Sequence, residues 1–103
     1  MESGKAYIVF TPTGIGKTKK IDIESMKINA ASLSGHKIYG PKGIGALFVS
    51  NSIKNLLRPM ISGGGQEMGL RSGTLSPALC VGLGEACNDL IKNRKKYFEH
   101  FKK

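Results

Sequence analysis

Residues 32–47, SLSGHKIYGPKGIGAL, limit what this chain can fold into more than any other stretch. Gly35, Gly40, Pro41, Gly43 and Gly45 interrupt it so often that the backbone there is mostly turn, with few bulky side chains. Pro41 fixes φ, whereas Gly43 and Gly45 can take positive φ, so the turn is rigid in one place and permissive in others. The flanking segments 28–33 and 46–49 resemble β-strands, and the spacing predicts that they pair antiparallel around the turn. Ala30 and Ala31 are small enough to let other elements approach.

Lys37 stands in this turn beside His36 and just after Ser34 and Gly35. Lysine condenses with carbonyls as a Schiff base. A pyridoxal-phosphate enzyme needs one such amine, with hydroxyls and backbone N–H groups near the phosphate. Ser34 and Gly35 are placed to supply the latter two. The plainer alternative is a solvated lysine in a hairpin connection. Lys42, the other amine of the turn, reads as a surface group or an anion contact.

Residues 62–74, SGGGQEMGLRSGT, carry five glycines and almost no apolar side chains. So long a loop is uncommon in a compact domain unless it contacts something. Taken alone, Thr74 is a loop hydroxyl leading to the next helix. Ser76 followed by Pro77 is a helix opening, N-cap then first helical position. Leu79, Leu83, Cys87, Leu90, Ile91, Tyr97, Phe98 and Phe101 recur at three- and four-residue steps and predict one amphipathic helix over 77–102. Lysines near its end complement the negative C-terminal dipole. Gly82 and Gly84 each cost a helix about 1 kcal/mol, which points to close packing against a neighbour. His100 reads as structurally idle in a solvated last turn.

The N-terminal part gives weaker signals. Residues 6–10, AYIVF, read as a buried strand, and residues 21–27 as a short helical turn begun by Asp22 with Ile23 and Met26 inward. Residues 51–57 read as one or two helical turns closed by Pro59. Between them, TPTGIGKT at 11–18 is similar to the phosphate-binding loop of helicases and related ATPases, with Lys17 to reach phosphates and Thr18 to ligate magnesium. Against it, Thr11 occupies the place of the first glycine. No long amphipathic helix follows, and a second, acidic motif for magnesium is hard to find.

Sixteen Lys and Arg against seven Asp and Glu give the 103-residue chain a formal charge of +9, which permits acidic partners. Nucleic acid is not favoured, because the lysines gather at 17–20 and 92–103 without aromatic interleaving. Cys80 and Cys87 lie two turns apart on one helix face and lack the paired spacing of a zinc or redox site, so they read as core thiols and no metal is expected. No apolar run reaches membrane-spanning length, and the first six residues are too short and mixed for a secretory signal.

Two blocks, SLSGHKIYGPKGIGALFV and SGGGQEMGLRSGTLSPALCVGLGEAC, with their separation, closely resemble the cysteine desulfurases, fold-type I pyridoxal-phosphate enzymes that supply sulfur for iron–sulfur cluster assembly. The resemblance implies an α/β chain. It would be a partial fold-type I aminotransferase-like domain over residues 14–103, with short strands around the Lys37 loop and a long C-terminal amphipathic helix, preceded by a divergent segment 1–13. It further implies that Lys37 holds pyridoxal 5'-phosphate as a Schiff base, with His36 beside the coenzyme and Ser34 at its phosphate. Thr74 would cross a homodimer interface to the phosphate bound in the neighbouring subunit.

The implied substrate is L-cysteine, converted to L-alanine while the sulfur passes to an enzyme thiol as a persulfide, and the implied partners are iron–sulfur scaffold proteins. A mitochondrion or a mitochondrion-derived organelle is the compartment implied, with the cytoplasm as the alternative. The chain departs from the family pattern at three places: Phe10 and Thr13 stand where an aspartate and a glutamine serve the pyridine ring, and Met68 stands where an arginine is usual. Neither Cys80 nor Cys87 matches the persulfide-forming position, and the carboxylate-gripping arginine falls beyond Lys103. The expectation is therefore a truncated desulfurase, catalytically inactive by itself and with apolar faces uncovered. The alternatives are a non-catalytic dimerisation or docking remnant of a desulfurase, or a P-loop nucleotide-binding protein.

Overall fold

The computed structural model describes residues 7–9 and 20–101. In chain order its regular elements are strands β1 (Tyr7–Val9), β2 (Lys20–Asp22), β3 (Ala30–Ser34) and β4 (Gly45–Val49), and helix α1 (Pro77–Phe101). Single 3-10 turns lie at Gly35–Ile38, Lys54–Leu56 and Glu67–Gly69. The strands form two separate antiparallel pairs, β1 with β2 and β3 with β4. The architecture is mixed α/β, with short strands around the Lys37 turn and one long C-terminal helix.

β3 and β4 pair without a bulge, Ala30 opposite Val49 through Ser34 opposite Gly45. Gly45 is required at the last step, because a Cβ there would sit 2.5 Å from the Leu33 carbonyl oxygen. The strand expected at 28–33 begins two residues later, since Ile28 is still held by the preceding turn through its N–H bond to the Ile23 carbonyl at 3.0 Å. That turn is the one expected at 21–27. Asp22 ends β2, and its Oδ1 accepts the N–H groups of Glu24 and Ser25 at 3.1 and 3.2 Å, a local side-chain cap. Ile23 is buried, but Met26 is 48% exposed, contrary to the expectation that both point inward. The turn stops at Lys27, whose φ is 52°, so no second turn carries the three-residue spacing onto a common face. The 51–57 segment is likewise only a turn, in which the Ser50 carbonyl accepts from Ile53 and Lys54 before the 3-10 step. The TPTGIGKT segment, Phe10 and Thr13 lie outside the described residues.

Helix α1 packs its Leu79, Gly82 and Ala86 side against the Lys37 turn. A Cβ on Gly82 would lie 2.8 Å from Pro41 Cγ, one on Gly40 would lie 3.2 Å from Ala86 Cβ, and Leu79 Cδ1 lies beneath Gly43. Gly84, two residues on and so about 200° around the helix, has nothing within 4 Å and is exposed. The close-packing expectation therefore applies to Gly82 and fails for Gly84. Ile91, expected on the covered face, is 68% exposed. Cys80 and Cys87 are half-buried free thiols.

Little of the chain is sealed from solvent. Among the described residues Ile23 and Ala86 are the buried apolar side chains, and Leu47, Leu56, Met60, Ile61, Met68 and Val81 are at least half exposed. No helix among the described residues is long and apolar enough to cross a membrane.

Candidate functional site

The Lys37 turn is built by the strand pair and clamped by the helix. Ser34 closes β3, and the chain turns through Gly35–Ile38 to Tyr39, whose φ of 65° lies in the left-handed region, before Gly40 donates its N–H back to the Gly35 carbonyl at 2.9 Å. Gly35 is buried, with room for no side chain: a Cβ would meet Ile44 Cγ2 at 2.9 Å and the Pro41 carbonyl oxygen at 3.1 Å. His36 and Lys37 are exposed, and Ser34 is half-buried. The Lys37 amine has no hydrogen-bond or ion-pair partner among the described residues. The Ser34 hydroxyl makes no capping bond to the turn that follows it.

One expected role is corrected. The Gly35 N–H donates to the Ile44 carbonyl at 2.9 Å, so it is spent inside the hairpin and cannot also serve a phosphate. Gly35 contributes close approach of backbone to backbone instead.

Thr74 lies elsewhere, exposed at the end of the glycine loop. The hydrogen bonds of that loop are internal or reach Ile61, and none joins it to the Lys37 turn. At its centre Met68 takes φ 57° and is 86% exposed, so the residue that departs from the family pattern projects into solvent.

Two groupings escaped the sequence. On α1 the Asp89 carboxylate accepts from Asn93 Nδ2 at 2.7 Å and from the Tyr97 hydroxyl, and the Tyr97 ring meets the Tyr39 ring at a centroid distance of 5.8 Å. These bonds hold the Asp89 carboxyl below the usual carboxylate range, the Tyr97 hydroxyl foremost, then Asn93, with Lys96 and Lys92 adding to the effect. The same bond raises Tyr97. The i, i+4, i+8 spacing of Asp89, Asn93 and Tyr97 was the available signal. The second grouping is the pair Gln66 and Ser72, whose polar side chains organise the glycine loop.

The donor set suits a carbonyl-bearing phosphate ester. An accessible amine is what condensation with an aldehyde requires, and among the described residues the Lys37 amine and the nearby Ser34 hydroxyl have no hydrogen-bond partner, with the Thr74 hydroxyl likewise without one in the separate glycine loop. No group of three or more His, Cys, Asp or Glu among the described residues could hold a metal ion.

The model of the aminotransferase class-V family matches residues 12–99. The chain belongs to that family. Among its relatives, the mitosomal cysteine desulfurase of Encephalitozoon cuniculi is 46% identical over 101 residues, covering 98% of this chain and 23% of that protein. The cysteine desulfurase IscS of Rickettsia bellii is 52% identical over 87 residues, 84% of this chain and 21% of the relative. Among solved structures, SspA in complex with cysteine matches with a TM-score of 0.62 and 57% identity over 66% of this chain and 20% of that one. This aminotransferase class-V chain thus spans about a fifth of the length of the relatives it matches.

Proposed function

We propose that the chain carries the coenzyme-attaching part of a pyridoxal-phosphate-dependent cysteine desulfurase. The single observation behind this is the Lys37 turn: an exposed amine, without a partner among the described residues, held between β3 and β4 in a chain whose relatives are cysteine desulfurases at about half identity. The coenzyme, when bound, supplies the electron sink that weakens the bond from sulfur to the β-carbon of L-cysteine. Lys37 provides the attaching Nζ and afterwards a proton-carrying amine. Ser34 offers a phosphate donor, and His36 borders the ring.

Thr74 serves the phosphate held by a second copy, so the working unit is a homodimer in which each glycine loop reaches across. That arrangement follows from the resemblance to the cysteine desulfurases; among the described residues no hydrogen bond joins the glycine loop to the Lys37 turn of the same chain. The sulfur acceptor is a thiol other than Cys80 or Cys87, and the 103-residue polypeptide alone is expected to take up coenzyme without releasing alanine. Iron–sulfur scaffold proteins are the onward partners, in a mitochondrion or a related organelle, as the compartment in the Encephalitozoon relative's name supports.

The test is direct. Pyridoxal phosphate added to the chain is expected to give the absorbance of a lysine-bound coenzyme, lost in Lys37→Ala. If Lys37→Ala leaves the band in place, the coenzyme is attached elsewhere and the reading fails. A non-catalytic docking remnant is the second reading, favoured by the exposed side chains of Leu56, Met60 and Ile61. It predicts association between copies with no coenzyme uptake.

A further inference from the structure

We infer that Gln66 and Ser72 are positioning residues for Thr74: their side chains tie the glycine loop into a closed knot that presents the Thr74 hydroxyl to a phosphate ester before ligand or second copy arrives. The identity of that ligand rests on the function proposed above; the knot itself does not.

Ser72 is the most buried described side chain, 5% exposed against 8% for Ile23 and Ala86. In a chain that leaves eleven large apolar side chains exposed among the described residues, a serine is thus better sealed than any of the hydrophobic residues described, and its Oγ, N–H and carbonyl each have a partner. Its Oγ accepts the Gly65 N–H at 3.2 Å, its N–H donates to the Ile61 carbonyl at 3.2 Å, and its carbonyl accepts from Arg71 Nη1 at 2.8 Å. One position further, Gln66 Oε1 accepts the Gly73 N–H at 2.9 Å. The loop is therefore cross-linked twice, 65 to 72 and 66 to 73, and the Gly69 N–H bond to the Gly65 carbonyl at 3.0 Å closes its far end.

The glycines make room for these two side chains. A Cβ on Gly64 would sit 2.8 Å from the Gln66 amide, and one on Gly63, whose φ is 154°, would press on Ser72 Cβ at 3.3 Å. Thr74 follows the second cross-link directly, exposed and without a hydrogen-bond partner among the described residues. With the neighbouring backbone held by the closed loop, only the Thr74 side-chain rotamer is left to order when the hydroxyl meets an anion, which is how preorganisation raises affinity.

Three variants in the full chain decide this. Gln66→Leu removes the acceptor for Gly73, Gln66→Glu keeps one, and Thr74→Ala removes the presented hydroxyl. Amide hydrogen exchange without coenzyme is expected to show Gly65 and Gly73 protected, with Gly73 alone accelerated about tenfold or more in Gln66→Leu and protection restored in Gln66→Glu. Pyridoxal phosphate affinity, read from absorbance, is expected to fall about three- to tenfold in Gln66→Leu, the range of one ordinary hydrogen bond. It should fall no further when Gln66→Leu is added to Thr74→Ala. Additive losses, or an unprotected Gly73 in the parent chain, would overturn the positioning role. A protected Gly73 in a parent chain that takes up no coenzyme would instead overturn the proposed function, and with it the ligand assigned to Thr74.

Discussion

Replacing Gly82 or Gly84 by alanine separates the intrinsic stability of α1 from its docking on the Lys37 turn. Both substitutions lie inside the same helix and gain the same propensity, about 1 kcal/mol each. At Gly84 nothing lies within 4 Å of the new methyl, so the gain is realised in full. At Gly82 the methyl would lie 2.8 Å from Pro41 Cγ and 3.1 Å from Pro41 Cδ, well inside contact distance. Pro41 cannot swing aside, because its ring is part of the backbone and its φ is fixed. The helix must therefore retreat from the turn, and overpacking of this kind costs about 1–3 kcal/mol.

The expected difference between the two variants is that same 1–3 kcal/mol. Gly84→Ala should raise the melting temperature by about 4–8 °C, as 1 kcal/mol does for a domain of this size. Gly82→Ala should leave it unchanged or lower it. Thermal and urea unfolding followed by far-ultraviolet circular dichroism measure both, and adding Pro41→Ala to Gly82→Ala should recover part of the loss. Equal stabilisation by the two alanines would refute the packing of α1 on Pro41.

Lys37→Ala should leave unfolding free energy within about 0.5 kcal/mol of the parent, as for an exposed side chain without partners, while abolishing coenzyme uptake. Gly45→Ala should disrupt the β3–β4 pair, since its Cβ would stand 2.5 Å from the Leu33 carbonyl oxygen; loss of slow-exchanging amides across that pair would show it. For Asp89, folding lowers the carboxyl pKa, so its stabilising effect is present above the unfolded value and is lost as pH falls through the folded one. For Tyr97 the pKa rises on folding, so the effect is present below the unfolded value and fades as pH climbs through the folded one. Asp89→Asn should flatten the acid limb of the melting-temperature profile, and an unchanged limb would exclude Asp89 as its source.

The parts of the fold that were legible share a property: their signal is local. Segments 28–33 and 46–49 announce a strand pair because the turn chemistry between them permits little else, and α1 is visible from Ser76-Pro77 onward because its period persists for several turns. Met26, Ile91 and Gly84 were misread for a common reason. Spacing assigns a residue to a face, but only neighbouring mass decides whether that face is covered, and here 48% of Met26 and 68% of Ile91 remain in solvent. Gly35 shows a different limit. Its place before Lys37 suggested an available N–H, but only the strand register reveals that Ile44 has already claimed it. Gln66 and Ser72 have no periodicity at all, so their role depends on a loop path that glycines leave open.

The two halves of the candidate site are stabilised independently, and this bears on how they meet. The Lys37 turn is held by Gly45 against Leu33 and by Gly82 and Ala86 against Pro41 and Gly40, while the Thr74 loop is held by Gln66 and Ser72 within itself. Among the described residues no hydrogen bond links the two, so each holds its shape without the other. Among the described residues, several large apolar side chains lack cover. Much of the exposed apolar material, Leu56, Met60, Ile61 and Met68, borders or lies within the glycine loop. On the function proposed above, burial of this strip against further protein would engage the same stretch of chain that carries Thr74, so association and phosphate binding would be coupled through one loop.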